Sequence, residues 1–87
     1  MEITDYRFIV HKVGTQECIF QISDESLGDE VQYFGYLSEN GSWIIQQRTV
    51  ATGAYRYYAG QSNYSANFVA REELAYVLFS ELHTLLE

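Results

Sequence analysis

Val31-Gln32-Tyr33-Phe34-Gly35-Tyr36-Leu37-Ser38, then Glu39-Asn40-Gly41, then Ser42-Trp43-Ile44-Ile45-Gln46-Gln47-Arg48-Thr49-Val50 is the stretch on which the fold turns. Two runs rich in aromatic and β-branched residues flank a short turn that contains Asn-Gly. Those two residues tolerate the left-handed backbone a tight reversal needs, so the pair is the strongest local signal for a β-hairpin. The reading predicts strands over 31–38 and 42–50.

Working outward toward the N-terminus, Tyr6, Phe8 and Val10 alternate with Arg7, Ile9 and His11. A period of two in β-forming residues predicts a strand over 3–13. Gly14-Thr15 makes a turn. Cys18, Phe20 and Ile22 then alternate with Glu17, Ile19 and Gln21 to give a second strand over 16–23. Residues 24–30, with Asp24, Glu25, Asp29 and Glu30, read as a polar loop.

Toward the C-terminus, Thr52-Gly53 turns the chain into a strand over 54–59, and Gly60-Gln61-Ser62-Asn63 reads as a loop. The period then changes. Leu74, Leu78, Leu82 and Leu85 recur at helical spacing, and Glu72-Glu73 suit the positive end of a helix dipole. This predicts one helix over about 70–86. The fold class that results is α+β: an antiparallel meander of about five strands with one C-terminal helix packed on the sheet. The absence of proline agrees, since proline is excluded from central strands.

Eighty-seven residues make one domain, 1–87, since domains are commonly ~100–150 residues. A hydrophobic content of 47% with 16% aromatic residues excludes a disordered chain, which lacks both. One cysteine excludes an internal disulfide framework and a multi-cysteine zinc site. The acidic opening Met1-Glu2-Ile3-Thr4-Asp5 is unlike a secretory signal. The longest apolar run, Leu74 to Phe79, falls far short of the ~20 residues of a membrane span. No export by signal peptide and no membrane association are expected.

The net charge of −7 is unevenly spread. Residues 1–39 carry a net of −6, residues 40–71 carry Arg48, Arg56 and Arg71 with no acid, and residues 72–87 carry a net of −4. Nucleic-acid binding is driven by cations that release counterions, so direct binding of DNA or RNA is not expected. Segregated charge suits docking of an acidic face of one copy on the Arg- and Tyr-bearing face of another, a head-to-tail contact that builds rings or filaments. It equally suits an acidic surface that keeps a small protein in solution.

Tyr and Arg are enriched at interaction hot spots. The protein-interaction candidates are Tyr33, Tyr36, Arg48, Tyr55, Arg56, Tyr57, Tyr58 and Tyr64, together with the acids Asp24, Glu25, Asp29 and Glu30. On a strand, Tyr55 and Tyr57 face one way and Arg56 and Tyr58 the other, so one set should be exposed. The exposed set is either an interaction surface or a series of cross-strand pairs. The acids of 24–30 lack the spacing of a calcium loop. Cys18 lies on the apolar side of its strand, and His11 and His83 lie on different elements. No catalytic, cofactor-binding or metal-ligating residue is assigned.

From Tyr33 onward the chain carries Tyr33-x-Gly35, Gly41-x-Trp43-x-Ile45, Gly53, Tyr57-Tyr58-Ala59, Tyr64 and Arg71-x-x-Leu74-x-Tyr76. This pattern, over about the last 55 residues, resembles a group of short, mostly uncharacterised proteins of tailed bacteriophages. The resemblance implies a small non-enzymatic virion component of capsid, neck or tail. Its partners would be copies of itself or other virion proteins, and its place the virion or the host cytoplasm. The alternative is an acidic phage inhibitor whose carboxylates, in 24–30 and at Glu2, Asp5, Glu17 and Glu39, mimic nucleic acid and block a host DNA- or RNA-binding protein. The acid-free stretch 40–71 counts against it.

Overall fold

The computed structural model describes the backbone of residues 2–5, 8–13 and 16–86, and the side chains of residues 9, 10 and 17–86. The expected Gly14-Thr15 turn and the side chains of Tyr6, Arg7, Phe8 and His11 lie outside the described residues. Six strands follow one another in a single sheet of order β1 to β6: β1 Glu2–Asp5, β2 Phe8–Val13, β3 Gln16–Leu27, β4 Val31–Ser38, β5 Trp43–Thr49 and β6 Ala54–Gly60. Every neighbouring pair is antiparallel. The expected meander is therefore present, with the stretch 3–13 divided between β1 and β2, which pair with each other.

The hairpin that organised the sequence, β4 and β5, lies inside this sheet between β3 and β6. Leu37 lies opposite Trp43 and the chain reverses over 38–42. Gly41 takes φ 92°, a left-handed value that favours glycine. The Asn40 side chain accepts a hydrogen bond from the Ser42 amide at 3.1 Å, and the Ser42 carbonyl accepts from the Ser38 amide at 2.9 Å.

The loop expected at 24–30 is shorter. β3 continues to Leu27, with Asp24 opposite Gly35 and Leu27 opposite Gln32, after an irregularity between Ile22 and Asp24. One extra residue in a strand reverses the alternation beyond it. Ile22 belongs to one face of the sheet, and Asp24 is turned to the other.

Each face has its own core. On the first, Ile9, Phe20, Tyr36, Ile44, Tyr57 and Ala59 pack with Leu82 and Leu86. On the second, Tyr33, Trp43, Ile45 and Tyr64 pack with Tyr58, Phe68, Leu74 and Tyr76. Burying each large side chain contributes roughly 1.5–3 kcal/mol.

The single helix expected over 70–86 is replaced by separate pieces. A helix α1, Tyr64–Val69, starts after Asn63, which adopts φ 59°, and a tight turn follows at Arg71–Glu73. The chain then runs extended at Leu74 and again at Leu78, and closes with a turn Phe79–Glu81 leading into α2, His83–Leu86. Between these pieces Val77 forms an antiparallel bridge with Tyr57, with N–H···O distances of 2.7 and 2.8 Å. The C-terminal segment thus passes around the β6 edge, with α1 on the second face and α2 on the first. That route explains the correction. Leu74 serves the second core and Leu82 the first, so leucines at helical spacing never share one helix.

Candidate functional site

The two covers are offset from one another. Over the second face, the Tyr64 hydroxyl reaches across β4 and donates to Asp24 Oδ2 at 2.7 Å. Arg71 lies 5.6 Å from the Tyr33 ring and 5.0 Å from the Phe68 ring. It donates to the Phe68 carbonyl at 3.0 Å and to Ser26 Oγ at 3.3 Å, which supplies the partner that a cation placed early in a helical turn needs. These contacts cover the half of the second face nearest the β3–β4 and β5–β6 loops. On the first face, α2 covers the other half, over Phe20, Tyr36 and Ala59.

Among the described residues each face consequently keeps a half that nothing covers, and the two lie diagonally opposite. On the first face the bare half is a row running straight across four strands: Leu27, Gln32, Arg48 and Tyr55, which the register sets side by side. Leu27 is 64% exposed and Tyr55 43%. Arg48 donates from Nη1 to the neutral Gln32 Oε1 at 3.2 Å and stands 6.0 Å from the Tyr55 ring. Its Nε is buried with no hydrogen-bond partner.

On the second face the bare half holds Val10, Ile19, Gln21 and Leu37, with Glu17 and Glu39 beside them. Ile19 is 55% exposed. A cleft of about 300 Å³ opens here, lined by Glu17, Ile19, Leu37, Glu39 and Asn40 among others. Cys18 is buried beside it, its sulfur 3.5 Å from Asn40 Nδ2.

The structure redistributes the candidates read from the sequence. Tyr33, Tyr36, Tyr57 and Tyr64 are buried and leave the list of surface residues. Tyr58 is half-buried, its ring 5.9 Å from that of Trp43 and 6.4 Å from that of Tyr76. The expectation that one side of β6 must be exposed is corrected for a physical reason: the C-terminal segment visits both faces. Tyr55, Arg56 and the half-buried Arg48 remain accessible, as do Asp24, Glu25, Asp29 and Glu30. Arg56 donates to the Tyr55 carbonyl at 2.9 Å. Leu27, Ile19 and Leu37 are absent from the sequence candidates, because as isolated residues they carry no signal. Only the register shows them as neighbours of Arg48 or Glu17.

Burial raises the phenol pKa values of Tyr57, Tyr64 and Tyr76 above the ordinary 10. At Tyr64 the hydrogen bond to Asp24 adds to that rise. Among the described residues no three His, Cys, Asp or Glu side chains converge as a metal site, and no described helix is long and apolar enough to cross a membrane. Comparison with family models, with curated proteins and with solved structures returned no match.

Proposed function

We propose that this chain is a non-enzymatic protein-binding protein, used as a small structural component of a tailed-phage virion. The observation that carries the binding reading is the pair of bare half-faces, one with Leu27 and Tyr55 at the ends of a row that holds Gln32 and Arg48, the other with exposed Ile19 and Leu37 beside Glu17 and Glu39. Protein interfaces mix exposed apolar and aromatic side chains with arginine and other polar groups, and charge sets orientation and register. The virion assignment adds the resemblance of the Tyr33–Tyr76 pattern to short phage proteins.

The nucleic-acid mimic has less support. Glu17 and Glu25 are eight positions apart on β3, or about 26 Å at the rise of a strand. The row through Arg48 lies at the Glu25 end and Lys12 stands opposite Glu17 at the other, so neither end of β3 presents carboxylates alone. The test is to purify particles from a host culture in which the gene is induced, and to quantify the chain by mass spectrometry. A fixed copy number per particle supports the proposal; a chain that stays wholly in the soluble fraction removes the virion role.

A further inference from the structure

The bare half of the first face and the bare half of the second are complementary to each other. One presents Arg48 between Gln32 and Tyr55, with Leu27 at the end of the row. The other presents Ile19 and Leu37 with the exposed carboxylates of Glu17 and Glu39. We propose that the occupant of each is a second copy of this chain, the Leu27–Gln32–Arg48–Tyr55 row of one copy seated on the Glu17–Ile19–Leu37–Glu39 patch of the next. This rests on the protein-binding reading above and names its partner.

Three features argue for a copy. The Arg48 guanidinium has a neutral amide as the acceptor for its Nη1 and a buried Nε with no partner, so its charge is not matched within the row. The second patch carries two carboxylates, Glu17 and Glu39, against one cation, Lys12, which the register sets opposite Glu17, so its balance is opposite in sign to Arg48, and its apolar character is similar. The two surfaces are on opposite faces and toward opposite ends of the β3 and β4 strands, so neither blocks the other. Two different patches joined copy to copy make a heterologous contact, which propagates to a ring or an open filament instead of closing as a dimer. Stacked sheets in such an assembly stand roughly 10 Å apart.

The test is solution mass by size exclusion with light scattering, over a range of concentrations of the full chain. The wild-type mass should climb above the 10.1 kDa monomer through successive multiples. Arg48→Glu alone and the double variant Glu17→Arg/Glu39→Arg alone should each run as monomer, because each sets like charges against each other. An equimolar mixture of the two variants should assemble again, since both of its cross-contacts are complementary. Glu17 and Glu39 are exposed, so the double variant serves if Arg48→Glu fails to fold. A wild-type monomer at every concentration, or a closed dimer indifferent to Glu17→Arg/Glu39→Arg, overturns the contact. A monomer that still enters particles would overturn it while leaving the protein-binding reading in place. Assembly without entry into particles would support the contact and remove only the virion role.

Discussion

The hydroxyl of Tyr64 occupies the space that a side chain at position 35 would fill, and Gly35 is what admits it. From there the hydroxyl reaches Asp24 on the neighbouring strand. A single glycine thus lets α1 sit close enough to the sheet to cover the second core. A Cβ at position 35 would also come within 2.9 Å of the Phe68 ring, so both aromatic anchors of α1 depend on it.

Gly35→Ala should therefore destabilise the fold, although alanine is ordinarily better than glycine within a strand by roughly 0.5–1 kcal/mol. Overpacking costs typically ~1–3 kcal/mol, and here it falls on the rigid ring of Tyr64. The urea midpoint should drop at unchanged slope. A midpoint equal to or above wild type would show that α1 docks independently of the glycine.

Stability should fall in alkaline solution. The Tyr57, Tyr64 and Tyr76 phenols hold their protons more tightly folded than at the ordinary pKa of 10. Below pH 10 both states are protonated and this contribution is fully present. Above it the unfolded chain loses protons first, so stability declines as pH rises toward the folded values. Each such group contributes a slope of up to about 1.4 kcal/mol per pH unit. Ultraviolet titration should show tyrosines that ionise only together with unfolding. Smooth ionisation of all eight tyrosines near pH 10 in a folded chain would contradict it.

The central hairpin was legible because its signals are local: Asn40-Gly41 sets the reversal, and the alternation on each side sets the faces. The Leu74–Leu85 stripe misled for the opposite reason. Helical periodicity reports that apolar residues recur, and is silent on whether they recur for one core or two. The extended passage through Val77 depends on the free edge of β6, which no stretch of C-terminal sequence encodes. The same route buries Tyr57 and half-buries Tyr58, which alternation alone placed on one exposed and one buried side. The bare halves were invisible for a related reason. Arg48 and Tyr55 are seven positions apart, and Glu17 and Glu39 twenty-two; their grouping is a product of register.

Leu82 and Leu86 anchor the last helical turn with no exposed surface. Leu82→Ala should cost about 2–5 kcal/mol, as for large-to-small changes in cores. The exposed neighbour Thr84 should tolerate alanine within about 0.5 kcal/mol. Thermal unfolding of the two variants checks this. Equal effects would mean that α2 is not held to the first face by its leucines.

Gly60 stands directly across from Trp43, and a Cβ there would lie 2.5 Å from Cζ2 and 2.8 Å from Cε2 of the indole. The ring has little room to yield, because Nε1 donates to the Ser62 carbonyl at 2.6 Å. Gly60→Ala should force the ring outward, break that hydrogen bond, and destabilise by ~1–3 kcal/mol. Trp43 is the only tryptophan and is 2% exposed, so its fluorescence should shift to the red in the folded variant. Gly53→Ala is the control. Position 53 has φ 70°, and a Cβ added there would meet nothing within 4 Å, so alanine strains the backbone by roughly 1 kcal/mol without touching the indole. It should lower the unfolding midpoint and leave the emission unchanged; a red shift in both variants would tie the signal to general loosening instead of the Gly60–Trp43 contact.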